Sequence, residues 1–354
     1  MRKRLPCSGI GGQAVLEGIM MRNKNRYSVA VRTGDKDIDC KVGQRKDIEE
    51  RTFLARIPFV RGIFKLIDSL VLGIRALTYS SQFVEEEELE PDKFEGWLNR
   101  KFGERAEKVI IAFTIVVSLI LAIALFMILP LFIADLMERH ISWVTKQTVP
   151  VIEGVLKVII FIVYLMLTAL IKDIRRTYMY HGAEHKCINC VETGHALNVE
   201  NVRRSSRFHK RCGTSFLFVI ILISIIIFVL VRPEAIWLRY LIRILLLPVI
   251  AGLSYEFIRY AGSKDNLFVT ICSKPGLWMQ RITTREPTND MIEVAIEATE
   301  AVFDWEAYLE KNGIEVEGRV RPRPQAKPQS YVRPTPHDLP QRDSNTGSGF
   351  NWKF

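Results

Sequence analysis

Between Val109 and Ala134 the chain runs for 26 residues without a charged side chain. About 20 apolar residues suffice to carry a helix across the hydrocarbon of a bilayer, so a run of this length suits lipid better than a water-soluble core. Three more apolar blocks follow. Val151–Ile171 holds Glu153 and Lys157 near its start, and Thr214–Val231 is uncharged. Ala235–Leu253 is interrupted by Arg239 and Arg243, which can snorkel toward an interface from the first turns of a helix. The expected fold is an α-helical integral membrane protein with about four transmembrane helices.

Basic residues orient these spans. Lys93, Arg100, Lys101, Arg105 and Lys108 precede the first, and the loop after the second carries Lys172, Arg175, Arg176, Arg203, Arg204, Arg207, Lys210 and Arg211. Arg259 and Lys264 follow the fourth, while the connection over 138–150 has only Arg139 and Lys146. The positive-inside rule then places both termini in the cytoplasm, with four crossings of a bacterial cytoplasmic membrane. Met1-Arg2-Lys3-Arg4 leads into no apolar core of the length a secretory signal needs. Much of the net charge of +10 can lie against anionic headgroups, so it points to a lipid bilayer as partner and to no specific nucleic acid.

Outside the 109–260 membrane domain, residues 1–50 read as a β-rich cytoplasmic unit. Gly9, Gly11 and Gly12 lead into an apolar run, and Tyr27–Val31 follows a polar turn. No Lys-Ser/Thr pair follows the glycines, which argues for turn chemistry over a phosphate loop. Residues 51–108 should supply amphipathic interfacial helices and the acidic linker Glu85–Glu88. Phe59, Ile63, Ile67, Leu70 and Ile74 recur at helical spacing, which suits either the membrane interface or packing on the bundle. Over 261–313 a helix opened by Pro287 should form a cytoplasmic cap. Residues 314–354, rich in Pro, Arg, Gln and Ser, cannot bury a core and are expected to be disordered.

The chemistry concentrates in the loop 172–213. Residues 181–212 hold four of the six histidines and three of the six cysteines. His181-Gly182-Ala183-Glu184-His185 is an H-x-x-E-H pattern: two imidazoles one turn apart on a helix, with a carboxylate beside the second. The second span is expected to continue as helix past Ile171 and present this motif to the cytosol. Zinc needs a third protein ligand, for which Glu256 and His209 are the candidates, and a catalytic site keeps a position for water. Cys187-x2-Cys190 with His209-x2-Cys212, eighteen residues apart, instead matches a closed structural ribbon. In a reducing compartment these cysteines are ligands or free thiols. His195 reads as an exposed bystander. Two sites, or one mixed site, also fit the spacing.

Several blocks carry a resemblance to the YqhQ-like family of bacterial membrane proteins. They are Gly11–Arg22, Tyr180–Lys186, Arg211–Phe216, Ser254-Tyr255-Glu256 and Thr283–Pro287. The resemblance covers roughly residues 8–310. It implies a metal-dependent enzyme, with His181, Glu184, His185, Cys190, His209, Cys212 and Glu256 on motif positions. Cys187 falls outside the pattern, and Lys210 stands where the family has proline.

Two functions follow as expectations. The first is a membrane-embedded zinc-dependent hydrolase, a peptidase being one form, in which Glu184 moves the proton. The alternative is a non-catalytic scaffold or assembly factor with a structural metal or cysteine cluster, serving a membrane or translation-associated partner. A homo-oligomer is compatible with so small a bundle. Transport has little support, because the spans show no paired charges and no matching broken helices.

Overall fold

The computed structural model describes residues 5–34, 37–46, 48, 52–83, 106–145, 147–231, 233, 235–263 and 267–314. The acidic run at Glu85–Glu88 and the tail beyond residue 314 lie outside them. The fold is mostly helical, with an antiparallel four-stranded sheet at its N-terminal end.

Strands β1 (Ile10–Val15), β2 (Gly18–Asn23), β3 (Arg26–Arg32) and β4 (Ile38–Gln44) form a meander in sequence order. Val15 pairs with Gly18 and Asn23 with Arg26, so two-residue turns join the first three strands. Glu17 (φ 47°) and Lys24 (φ 52°) take the left-handed conformation that such tight turns require.

Both faces of this sheet are covered. Leu72 and Ala76 of α1 (Val60–Ser81) pack on Val15, Met20, Val29 and Val31. The opposite face meets α5 (Lys172–Glu192). It also meets α11 (Asn289–Glu300), so that Ile19, Met21 and Ala30 share a core with Ala183, Cys187, Ile188, Ile292 and Ala295. The expected β-rich unit and helical cap thus share one core, with the histidine helix and α11 side by side on the sheet. Thr288 caps α11, one residue beyond the expected Pro287 opening.

The apolar helices are α2 (Ala106–Ile123), which continues through a π-turn at Ala124–Ile128 into α3 (Leu129–His140), then α4 (Val149–Thr168), α7 (Gly213–Leu230), α8 (Ile236–Leu245) and α9 (Leu247–Ser263). The short α6 (Val199–Arg204) lies between α5 and α7. After α9 come α10 (Leu267–Thr283) and, beyond α11, α12 (Trp305–Lys311).

One expectation is met in part and another needs correction. Among the described residues, Phe113–His140 and Val149–Thr168 are long and apolar enough to cross a membrane unbroken. A third candidate is the pair Trp237–Leu245 and Leu247–Tyr260, bent by 43° at Leu246, and among the described residues α7 adds the shorter apolar stretch Leu217–Leu230. In addition, α4 stops at Thr168 instead of continuing. Ile171 is extended (ψ 128°), and the new helix folds back until Tyr178 Oη lies 3.4 Å from Thr168 Oγ1. The change from apolar to charged sequence at Lys172 explains the break, since α5 must lie on the sheet while α4 keeps its apolar surroundings.

The apolar helices also carry paired charges that the sequence did not announce. Arg243 grips Glu153, Lys157 Nζ lies 2.7 Å from the same carboxylate, and both cations stand over the Phe228 ring at 4.6 and 4.8 Å. Arg239 reaches Asp135 at 2.5 Å and Glu138 at 3.9 Å. Arg239 and Arg243 therefore do not snorkel outward; one helical turn apart, they face the acids of α3 and α4.

Candidate metal centre

Helix α5 sets His181 and His185 one turn apart, with ring centroids 4.4 Å from each other. Each ring is turned by a backbone carbonyl. His181 Nδ1 lies 2.9 Å from the Thr283 carbonyl, and His185 Nδ1 lies 2.7 Å from that of Arg207. A carbonyl only accepts, so each Nδ1 carries the proton and each Nε2 presents its lone pair. Cys212, at the N-cap of α7, brings its Sγ to 3.2 Å from His181 Nε2.

One ligand atom from each of His181, His185 and Cys212 lies within 4.8 Å of the others. Tetrahedral zinc, with Zn–N of about 2.0 Å and Zn–S of about 2.3 Å, sets ligand atoms roughly 3.3–3.6 Å apart. The widest pair therefore needs to close by at most about 1.2–1.5 Å to hold such an ion, and two imidazoles with a thiolate are a donor set that suits zinc. The three residues fit the metal expected from the sequence.

The loops that orient the rings are themselves held. Lys186 Nζ donates to the carbonyls of Arg203 and Ser205 (2.8 and 2.9 Å), and Asn189 Nδ2 to those of Ser206 and Phe208 (2.7 and 3.0 Å). Gln280 clamps the His209 backbone in both directions at 2.8 Å. Arg207 donates to the Thr284 carbonyl, and Arg285 N–H to that of Tyr178. This last contact lays the Thr283–Glu286 segment across Gly182, where a Cβ would stand 2.0 Å from the Arg285 carbonyl oxygen. Only glycine permits that approach. The sequence pointed to Thr283–Pro287 through resemblance alone, and Gln280 and the Arg207 carbonyl carried no signal.

Glu184 is buried on the side of α5 that faces β1, its Cγ 2.9 Å from where a Gly12 side chain would begin. Burial raises its pKa, while His181 and the Gly12 N–H pull the other way. Of the two imidazoles, that of His181 is the one acting on this carboxyl.

The remaining expected ligands lie elsewhere. Glu256 is not brought to the histidines: Arg61 holds its carboxylate and the Phe59 N–H reaches it at 3.3 Å, so its charge docks α1 on α9. The His209 ring stands 5.6 Å from that of His185, and its Nε2 is 3.8 Å from Glu192, outside the three-residue group. Cys190 packs in the helix–sheet core with Sγ 3.4 Å from the Ala196 carbonyl, and burial lifts its thiol to about 11. Cys187 shares that core, and burial drives its thiol upward too. The Cys187–Cys190–His209–Cys212 ribbon is therefore not assembled. His195 is exposed, 3.0 Å from Thr193 Oγ1.

Comparison with known proteins places this chain in a family. The chain is 34% identical over 308 residues to the uncharacterized protein YqhQ of Bacillus subtilis (strain 168), covering 85% of this chain and 94% of that one. No solved structure matches it. Residues 57–305, which include every candidate ligand and Glu184, match the model of a protein of unknown function (DUF1385), and the chain belongs to that family.

Proposed function

We propose that this protein is a membrane-embedded, zinc-dependent hydrolase, with a peptide bond foremost among its substrates. The observation that carries the reading is the convergence of His181, His185 and Cys212, with both imidazoles already turned by backbone carbonyls. Three protein ligands leave a tetrahedral ion one position for water. When bound, zinc would supply Lewis acidity and lower the pKa of a water. Glu184 would accept a proton and return it to the leaving group, its raised pKa favouring the return. Gly12 would fix the carboxylate, and Thr283 and Arg207 the imidazoles.

The chain would cross a bacterial cytoplasmic membrane four times with both termini inside. α7 runs from Cys212, beside His181, to Phe228, beside Lys157 and Arg243. The bent pair runs from Arg243 of α8, on Glu153, to Gly252 and Tyr255 of α9, against Gly62 of α1. These helices connect the same two ends as α4, which supports counting each as a crossing. The exposed Lys172, Arg175 and Arg203 support a cytoplasmic metal-site end.

The test is Glu184→Gln in the purified, metal-loaded protein, assayed on quenched peptide substrates. The variant should keep its metal and lose roughly 10²–10⁴-fold in turnover. Equal turnover with equal metal content excludes Glu184 as the proton carrier.

A second reading is favoured by the burial of His185 and Cys212. A closed metal staple in a non-catalytic scaffold, serving a membrane or translation-associated partner or a second copy, would leave the Glu184→Gln protein functional in cells.

A further inference from the structure

Helix α1 has two apolar faces, and the fold uses one of them. Leu72 and Ala76 go to the sheet, and Gly73 lets Gln13 approach to 2.5 Å of its missing Cβ. On the opposite side Ile67, Leu70, Ile74 and Leu77 form a stripe at i, i+3, i+7 and i+10, each 37–56% exposed. Phe53, 74% exposed, and Phe59 extend the patch ahead of the helix. Single exposed leucines are ordinary, but a continuous stripe of large side chains marks a contact surface. The sheet already grips the other face, so α1 cannot roll to hide it.

We propose that α1 is an in-plane membrane anchor, with this stripe seated at the headgroup–acyl boundary of the leaflet on the metal-site side. The inference rests on the reading of the apolar helices as spans. Continuity argues for lipid as the occupant. The first turn of α1 packs directly on a span: Gly62 would meet Tyr255 at 2.8 Å and Gly252 at 3.0 Å, and Arg61 holds Glu256. The stripe therefore begins at the flank of α9, where Val249 and Tyr260 are also exposed. Charge agrees, since exposed Arg75 of α1, Arg259 of α9 and Lys172 and Arg175 of α5 suit anionic headgroups. An amphipathic helix with an apolar stripe and basic flanks is the form that lies in this interface. Anchored in this way, α1 carries the sheet, and with it Gly12 behind Glu184, against the membrane surface.

The test uses the full-length protein in phosphatidylethanolamine–phosphatidylglycerol vesicles, with p-benzoylphenylalanine placed singly at Leu70 or Ile74. Ser69 and Arg75, exposed on either side of the stripe, serve as comparison positions, and Leu119 and Val155 report the spans. After illumination, lipid adducts are counted by mass. Positions 70 and 74 should give at least about fivefold more adduct than 69 and 75, as positions 119 and 155 should too. Adducts at 119 and 155 but none at 70 and 74 would overturn the anchor alone, as would cross-linked chain pairs at 70 and 74. Absence of adduct at all of them overturns the span assignment and the anchor with it.

Discussion

Cys212 Sγ lies 3.2 Å from His181 Nε2, joining the N-cap of an apolar helix to the middle of a polar one across 31 residues of chain. This contact adds a thiol to the H-x-x-E-H motif as a third candidate ligand, and it sets the group where the apolar helices meet the sheet unit.

Gly182→Ala measures how tightly the site is framed. Alanine in an isolated helix is better than glycine by about 1 kcal/mol. Here the added Cβ would stand 2.0 Å from the Arg285 carbonyl oxygen, a backbone atom with little room to retreat. The clash should win, with a net loss of about 2–3 kcal/mol and weaker metal retention as Thr283 moves off His181. Thermal melting in detergent reads the first effect and metal analysis the second; a stabilised variant would show that the segment is loosely held.

Acid should destabilise the fold in two windows. Burial pushes the His209 imidazole down to about 4 from 6.5, against the pull of Glu192. Burial alone would raise Glu192, but His209, Arg211 and Ser8 together bring it down to about 2 from 4.5. Both folded values lie below the unfolded ones, so the unfolded chain binds more protons in acid. The His209 contribution is full above pH 6.5 and fades toward pH 4; that of Glu192 is full above 4.5 and fades toward 2. Melting midpoints measured from pH 8 to pH 4 should be level at first and then fall. A rise on acidification would contradict the assignment.

Glu153→Gln should cost the membrane helices about 3–5 kcal/mol, because Arg243 and Lys157 would be left buried without their shared carboxylate. Replacing Glu153, Arg243 and Lys157 together with glutamine and two methionines should recover much of that loss. Unfolding midpoints in detergent distinguish the two variants. Equal stability of wild type and Glu153→Gln would mean that these charges remain hydrated.

The legible parts of the fold were those written in local periodicity. The uncharged run after Val109, the apolar runs and polar turn within residues 1–50 and the helical spacing from Phe59 each become the expected element type. The pairing of His181 and His185 was legible because residues one turn apart on a helix need no knowledge of tertiary structure. The third member of the group was not. Glu256 emerges from a span on the right side, yet Arg61, nearly 200 residues earlier in the chain, claims its charge. Cys212 was visible as part of a ribbon, whose other thiols turn into the core, or of a mixed site that spacing could not choose. The charged ladder was misread for the same reason: Arg239 and Arg243 look like interruptions until α3 and α4 supply Asp135 and Glu153. The ladder does not revive transport, since the helix break at Leu246 has no counterpart in a matching half among the described residues.

Metal stoichiometry tests the central claim most directly. Elemental analysis of detergent-purified wild type should find about one zinc per chain, as should Glu256→Gln and Cys190→Ser, whose side chains lie outside the ligand group. His181→Ala, His185→Ala and Cys212→Ser should each lose it while remaining folded. Metal retained in Cys212→Ser but lost in Glu256→Gln or Cys190→Ser would contradict the assignment of His181, His185 and Cys212 as the site.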